Sequence, residues 1–132
     1  MTWGKSVEDF SMLEIDEGVH IDHTRLAELS AQLGPAAAED VMCRGVEEVS
    51  IQICKIEAAL RRADIYEVAK LARGLMCMAD TVGLATLARV AGDVANCASF
   101  GDHVALAATV RRLGRIGDGS VVAVWDLHGM SV

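Results

Sequence analysis

The residues best suited to chemistry lie together in the stretch 69–83. Lys70, Arg73 and Cys77 follow one another at steps of three and four residues, which places them on one face of a helix. Asp80 continues the same face. The guanidinium of Arg73 stays protonated and can hold a carboxylate with two parallel hydrogen bonds. The pattern therefore predicts a partly basic binding surface.

The opposite side of this stretch is apolar. Arg73 lies about 200° of helix rotation from Leu75, since each residue turns the helix by ~100°. A stripe of small and branched residues recurs at helical spacing on the side of Leu75: Val68, Leu71, Ala72, Leu75, Ala79 and Val82. The stretch is therefore predicted to be a helix that buries one face and exposes the other.

Histidines and cysteines could also do chemistry, but their spacing does not favour it. His20 and His23 are three residues apart, yet they straddle a predicted helix start and have no third ligand nearby in sequence. Cysteines 43, 54, 77 and 97 match no zinc or disulfide pattern, so free thiols are expected, with Cys54 and Cys97 in the core. The sequence has no phosphate-binding loop or nucleophile elbow. We therefore expect no metal, cofactor or catalysis.

Length and charge narrow the class of protein. A chain of 132 residues suggests one domain, and its 52% apolar content with only 4% aromatic residues favours helices. The net charge of −7 argues against a nucleic-acid partner. No signal peptide or membrane-spanning stretch is evident. These features predict a cytoplasmic protein that does not bind membranes.

Start and stop signals divide the middle of the chain into helices. Asp22 and Asp102 are predicted caps, Gly34 ends the first helix, and Asp64 with Glu67 has the pattern of a capping box. Gly83 is predicted to close the helix that contains Arg73. The other predicted helices run over about residues 23–33, 36–62, 84–99 and 103–116.

These elements predict an all-α fold: an antiparallel up-down four-helix bundle over residues 21–117 with a short N-terminal lead helix. Residues 1–20 are predicted to be irregular. Residues 118–132 are predicted to form an extended C-terminal tail, because two glycines precede the β-branched residues Val121, Val122 and Val124. The predicted core comprises Met42, Val49, Ile53, Ile56, Leu60, Leu71, Leu75, Val82, Leu87, Val94, Val110 and Leu113.

The stretch around Arg73 resembles the signature of histidine-containing phosphotransfer (Hpt) domains. That signature reads Ala-His-x-Leu-Lys-Gly-x-Ala, with a glycine ten residues after the histidine. Arg73 stands at the histidine position, Met76 at the lysine position and Cys77 at the glycine position. The positions that agree with the signature are Ala72, Leu75, Ala79 and Gly83.

The resemblance covers roughly residues 21–116 and implies a pseudo-phosphotransfer protein of two-component signalling. An arginine cannot accept a phosphoryl group as a neutral histidine does. The chain would therefore bind a response-regulator receiver domain or a histidine kinase as a non-catalytic module. The residues predicted to bind the partner are Lys70, Arg73, Met76, Cys77 and Asp80.

Two other functions remain open from the sequence. The chain could be a structural bundle that self-associates, for example as a homodimer through the C-terminal tail or the Met76–Met78 region. It could also be an active phosphotransfer protein whose acceptor is displaced to another histidine. Labelling by a phosphorylated kinase would distinguish the last alternative from the other two.

Overall fold

The structure, a computed structural model, describes the backbone of residues 21–131 and the side chains of residues 21–124. The irregular conformation predicted for residues 1–20 lies outside the described residues. The described chain is helical apart from its turns and contains no strand. Its helices are α1 His23–Leu33, α2 Pro35–Arg61, α3 Ile65–Thr81, α4 Ala85–Phe100 and α5 His103–Ser131.

Aspartate side chains fix the start of three helices, as the sequence predicts. Each accepts a hydrogen bond from the backbone N–H three residues later, which satisfies one of the donors that a helix start leaves unpaired. The three bonds are Arg25 to Asp22 at 3.1 Å, Glu67 to Asp64 at 3.2 Å and Ala105 to Asp102 at 3.0 Å. The backbone N–H of Asp64 donates to the Ala59 carbonyl at 2.9 Å.

The five helices pack antiparallel around one hydrophobic core. Helix α3 packs between α2 and α4, and α5 packs against both α4 and α2. The short helix α1 packs on α2. Ten of the twelve predicted core residues are buried, whereas Leu60 and Leu71 are half-buried at its edge. The all-α bundle and its lead helix are therefore confirmed.

The extended tail predicted for residues 118–132 is wrong, because α5 continues as a helix to Ser131. The inward residues Leu113, Ile116, Ser120 and Val124 keep helical spacing and are all buried. Gly117 does not break the helix. A Cβ there would lie 2.4 Å from Cδ1 of Ile53, so glycine lets α5 approach α2 closely. Packing therefore outweighs the weak strand preference of the β-branched residues.

Proline at Val122 should reveal this helical extension. Val122 lies on α5 and is 58% exposed, so the substitution disturbs the backbone more than the core. We expect Val122→Pro to lower the free energy of unfolding by about 2 kcal/mol, less than the ~3 kcal/mol at a helix centre because the last turns can fray. Urea denaturation measures the loss. Val122→Ala is the control and should change stability by under about 0.5 kcal/mol, and an equal effect of both substitutions would contradict a helix here.

The lead helix is anchored at the turn between α3 and α4. The N–H of Asp22 donates to the Gly83 carbonyl at 2.7 Å, and Nε of Arg25 donates to the Thr81 carbonyl at 2.9 Å. Gly83 has φ +81°, and a Cβ there would lie 3.1 Å from the carbonyl oxygen of Asp22. Both the backbone conformation and the close approach therefore require glycine at this turn. The chain before α1 consequently enters the bundle beside the C-terminal end of α3.

Candidate functional site

Helix α3 buries one face and exposes the other, as its sequence predicts. Val68, Ala72, Leu75 and Ala79 are buried against the neighbouring helices. The side chains predicted to bind a partner are all exposed: Lys70, Arg73, Met76, Cys77 and Asp80. The structure therefore brings these five residues together on one side of α3. Their role in binding stays a prediction.

Met76 shows how α4 borders this surface. A Cβ on Gly92 of α4 would lie 3.2 Å from the sulfur of Met76, so the methionine packs over the glycine. The two helices are antiparallel, so the N-terminal part of α3 lies beside the C-terminal part of α4. Asn96 therefore lies toward the N-terminal half of α3 from this contact, and Arg89 lies toward its C-terminal half.

Two α4 residues extend the surface that the sequence predicts. Asn96 and Arg89 lie one turn to either side of Gly92 and are exposed. Sequence reasoning missed them because their place beside α3 depends on how the two helices pack against each other. The sequence signal that could have identified them is their position one turn before and one turn after Gly92, a glycine outside the apolar stripe of α4. We call this seven-residue surface the α3–α4 face: Lys70, Arg73, Met76, Cys77, Asp80, Arg89 and Asn96.

Gly74 leaves the backbone of α3 accessible in the middle of the α3–α4 face. It is exposed and follows Arg73 directly, and a Cβ at this position would meet nothing within 4 Å. Lys70, Gly74 and Cys77 are one turn apart and line the outermost edge of the helix. A partner could therefore approach the main chain closely beside the guanidinium.

The α3–α4 face is basic although the protein is acidic. Lys70, Arg73 and Arg89 contribute three positive charges against the single carboxylate of Asp80, a net of +2, in a chain of net charge −7. Among the described residues, none forms an ion pair with these three cations. The ion pairs found there join Arg25 to Glu28 at 3.3 Å and Arg44 to Asp40 at 2.7 Å. The cations are therefore available to a carboxylate from outside the bundle.

The histidines lie at the starts of helices or outside the described side chains. His23 is exposed at the start of α1, and His103 is exposed at the start of α5. The pair His20–His23 cannot be placed, since His20 lies outside the described residues, and the side chain of His128 is likewise not described. Within the described part of the chain, no group of three or more His, Cys, Asp or Glu residues could hold a metal ion.

All four cysteines are free thiols, but their burial differs from the prediction. Cys97 is half-buried and packs against the core, whereas Cys54 is exposed on the outer side of α2. The prediction of a core position for Cys54 is wrong because the α2 seam passes through the neighbouring residue Ile53. An open, largely apolar depression of about 410 Å³ surrounds it, lined by Ser50, Ile51, Cys54, Lys55 and Ala58.

The chemistry available on the α3–α4 face is ion pairing and hydrogen bonding. Arg73 cannot lose its proton, so it can bind an anion but cannot act as a nucleophile. The thiol of Cys77 is exposed on the face. The backbone carbonyl of the same residue accepts a hydrogen bond from the hydroxyl of Thr81 at 2.9 Å. None of the described helices is long and apolar enough to cross a membrane. Comparison with protein-family models, curated proteins and solved structures finds no match.

Proposed function

We propose that this protein is a non-catalytic, Hpt-like module that binds the acidic pocket of a response-regulator receiver domain or contacts its histidine kinase. The observation that carries the proposal is the exposed guanidinium of Arg73 on a basic face of an acidic protein. A guanidinium can hold a carboxylate with two parallel hydrogen bonds, and receiver domains have a cluster of carboxylates around their phosphoacceptor aspartate. The module would occupy that pocket without transferring phosphate.

Two backbone features support the likeness to the Hpt pattern. Gly83, ten residues after Arg73, has the positive φ that favours glycine. The Hpt pattern also has a Gly-Asp turn before its signature helix, to which Ala63 and Asp64 correspond. Ala63 has φ +58°, a conformation that glycine adopts with less strain than alanine. At both positions where the pattern has a glycine, the backbone therefore has a conformation that favours glycine, which supports the proposal.

Phosphorylation tests the non-catalytic part of the proposal. We expect no acid-labile phosphoryl label on the purified protein after incubation with phosphorylated histidine kinases, because Arg73 replaces the nucleophile. A bona fide Hpt protein in the same reaction is the positive control. Stable label that disappears when one histidine is replaced would instead support a displaced acceptor. The variants to examine are replacements of His20, His23, His103 and His128.

Self-association is a second candidate function, which a different surface favours. Phe100 and Val104 flank the turn between α4 and α5 and are each 84% exposed. Large apolar side chains at this level of exposure are common at interfaces between copies of a protein. Light scattering over a concentration series distinguishes the two functions, since a receiver-binding module can be a monomer and a self-associating bundle cannot.

A further inference from the structure

The outer side of α2 carries an apolar depression that lies open to solvent. Its volume is about 410 Å³, and Ile51 beside it is 49% exposed. Small side chains form much of its lining, which comprises Ser50, Ile51, Cys54, Lys55 and Ala58. Contiguous exposed apolar surface is typical of sites that contact another protein. The outer side of α2 is therefore a candidate interaction surface.

The residues around this depression are arranged symmetrically about Cys54. Ser50 and Ala58 lie four residues before and after it, and Glu47 and Arg61 lie seven residues before and after it. Seven residues are close to two helical turns, so Glu47, Cys54 and Arg61 lie on the same side of α2, each about 10.5 Å from the next along the axis. The charges at the two ends are opposite. The surface is therefore complementary to an antiparallel copy of itself.

The charged residues at both ends of the depression are free to pair with a second molecule. Glu47, Glu48, Arg61 and Arg62 are all exposed. Among the described residues, none of the four forms an ion pair, although Glu48 accepts a hydrogen bond from Gln52 at 2.8 Å. A partner of uniform charge would match only one end of this surface. A second copy in antiparallel orientation matches both ends, because each acidic end then faces a basic end.

Small side chains allow two copies of α2 to approach closely. Packed helices lie about 8–10 Å apart, and each Cα lies about 2.3 Å from its helix axis. At an interaxial distance of about 10 Å, facing Cα atoms are therefore about 5 Å apart. The exposed side chain of Ile51 can then enter the depression of the other copy. A contact between two helices is small, so we expect a reversible dimer rather than a permanent one.

We propose that two copies of this protein associate antiparallel through the outer side of α2. Cys54 of each copy lies near the two-fold axis, and Glu47 and Glu48 face Arg61 and Arg62 of the other copy. The same surface is used by both copies, so the contact closes as a dimer and does not extend into a filament. The dimer uses no residue of the α3–α4 face and does not rest on the proposed function.

Oxidation tests the position of Cys54 near the two-fold axis. Diamide accepts the two hydrogen atoms that a pair of thiols loses on forming a disulfide. The matched variants are Cys77→Ser and Cys54→Ser, which each keep one exposed thiol together with the half-buried Cys43 and Cys97. We expect Cys77→Ser to give at least about fivefold more disulfide-linked dimer than Cys54→Ser, because facing Cα atoms about 5 Å apart satisfy disulfide geometry. Non-reducing electrophoresis gives the yields, and peptide mass spectrometry identifies the Cys54–Cys54 link.

Charge variants test the antiparallel orientation by sedimentation equilibrium. The pair Glu47→Arg with Glu48→Arg, and the pair Arg61→Glu with Arg62→Glu, should each raise the dissociation constant about tenfold or more, since like charges then face each other. The variant with all four substitutions should regain the original dissociation constant, because the exchanged charges again face opposite charges. All four positions are exposed, and circular dichroism confirms that the variants fold.

Three outcomes would overturn the dimer through α2. One is equal disulfide yield from the two cysteine variants. Another is a dimer whose dissociation constant neither charge pair changes, or that the fourfold variant fails to restore. The third is a dimer that Phe100→Ser with Val104→Ser abolishes while the α2 variants leave it intact, which would place self-association at the turn between α4 and α5. No receiver domain enters these measurements, so their failure is distinct from failure of the proposed function.

Discussion

Leu75→Ala should lower the free energy of unfolding by about 2–5 kcal/mol, because a fully buried leucine loses its packing and leaves a cavity. The side chain of Leu75 is 0% exposed and lies on the inner side of α3, directly behind the α3–α4 face. Buried neighbours from the other helices surround the same core, so the site has little room to collapse. Chemical denaturation followed by circular dichroism measures the loss.

The matched control is the same substitution at an exposed leucine. Leu33 ends α1 and is 48% exposed, so Leu33→Ala should cost less than about 1 kcal/mol. A loss below about half a kcal/mol for Leu75→Ala would mean that the inner side of α3 is misassigned. The α3–α4 face would then be misassigned too, since the two sides of one helix are defined together.

The sequence carries most of the information about where helices begin. Asp22, Asp64 and Asp102 are short polar residues placed just before apolar helical patterns, and each one caps a helix in the structure. Capping is a local interaction within four residues, so it can be inferred from neighbours in the chain. The end of α5 could not be inferred in this way. Where α5 continues past residue 116, Gly117 packs against Ile53, a residue 64 positions away, so contacts of this stretch are not visible in its sequence neighbours.

The residues of the candidate site on α3 could be predicted from local sequence, whereas those on α4 could not. The exposed side of α3 follows from helical spacing, which is why Lys70, Arg73 and Cys77 were predicted to lie together and do so. Asn96 and Arg89 lie one turn to either side of Gly92, over which Met76 packs, so their place on the surface depends on how α4 packs against α3. Spacing within one helix does not contain that packing, since it arises from the shapes of side chains on two helices.

Arg73→Ala should weaken binding to a receiver domain about 10-fold to 150-fold without unfolding the bundle. Hydrogen bonds to a charged group contribute about 1.5–3 kcal/mol, and each 1.4 kcal/mol is a factor of ten in affinity. Arg73 is exposed and has no ion pair among the described residues, so its removal should not destabilise the helix. Titration calorimetry against receivers from the same genome gives the affinity, with circular dichroism as the folding control.

Three further substitutions test whether the loss of affinity comes from the guanidinium of Arg73. Arg115→Ala removes an exposed arginine from α5, away from the α3–α4 face, and should change the affinity less than about twofold. Arg73→Lys keeps the charge but loses the paired geometry of the guanidinium, so its affinity should lie between those of the unaltered chain and Arg73→Ala. Arg73→His should not restore phosphotransfer, because Met76 and Cys77 still replace the lysine and glycine of the signature.

Salt dependence decides where Arg73 lies within the interface. A buried guanidinium–carboxylate pair is screened weakly, whereas a pair at the solvent-exposed rim loses strength as salt rises. We therefore expect the affinity difference between the unaltered chain and Arg73→Ala to persist at about 0.5 M salt. A difference that disappears with salt would place Arg73 at the rim. Equal affinity of both chains for every receiver, or no receiver binding at all, would favour the self-associating bundle, for which Phe100 and Val104 are the exposed candidates.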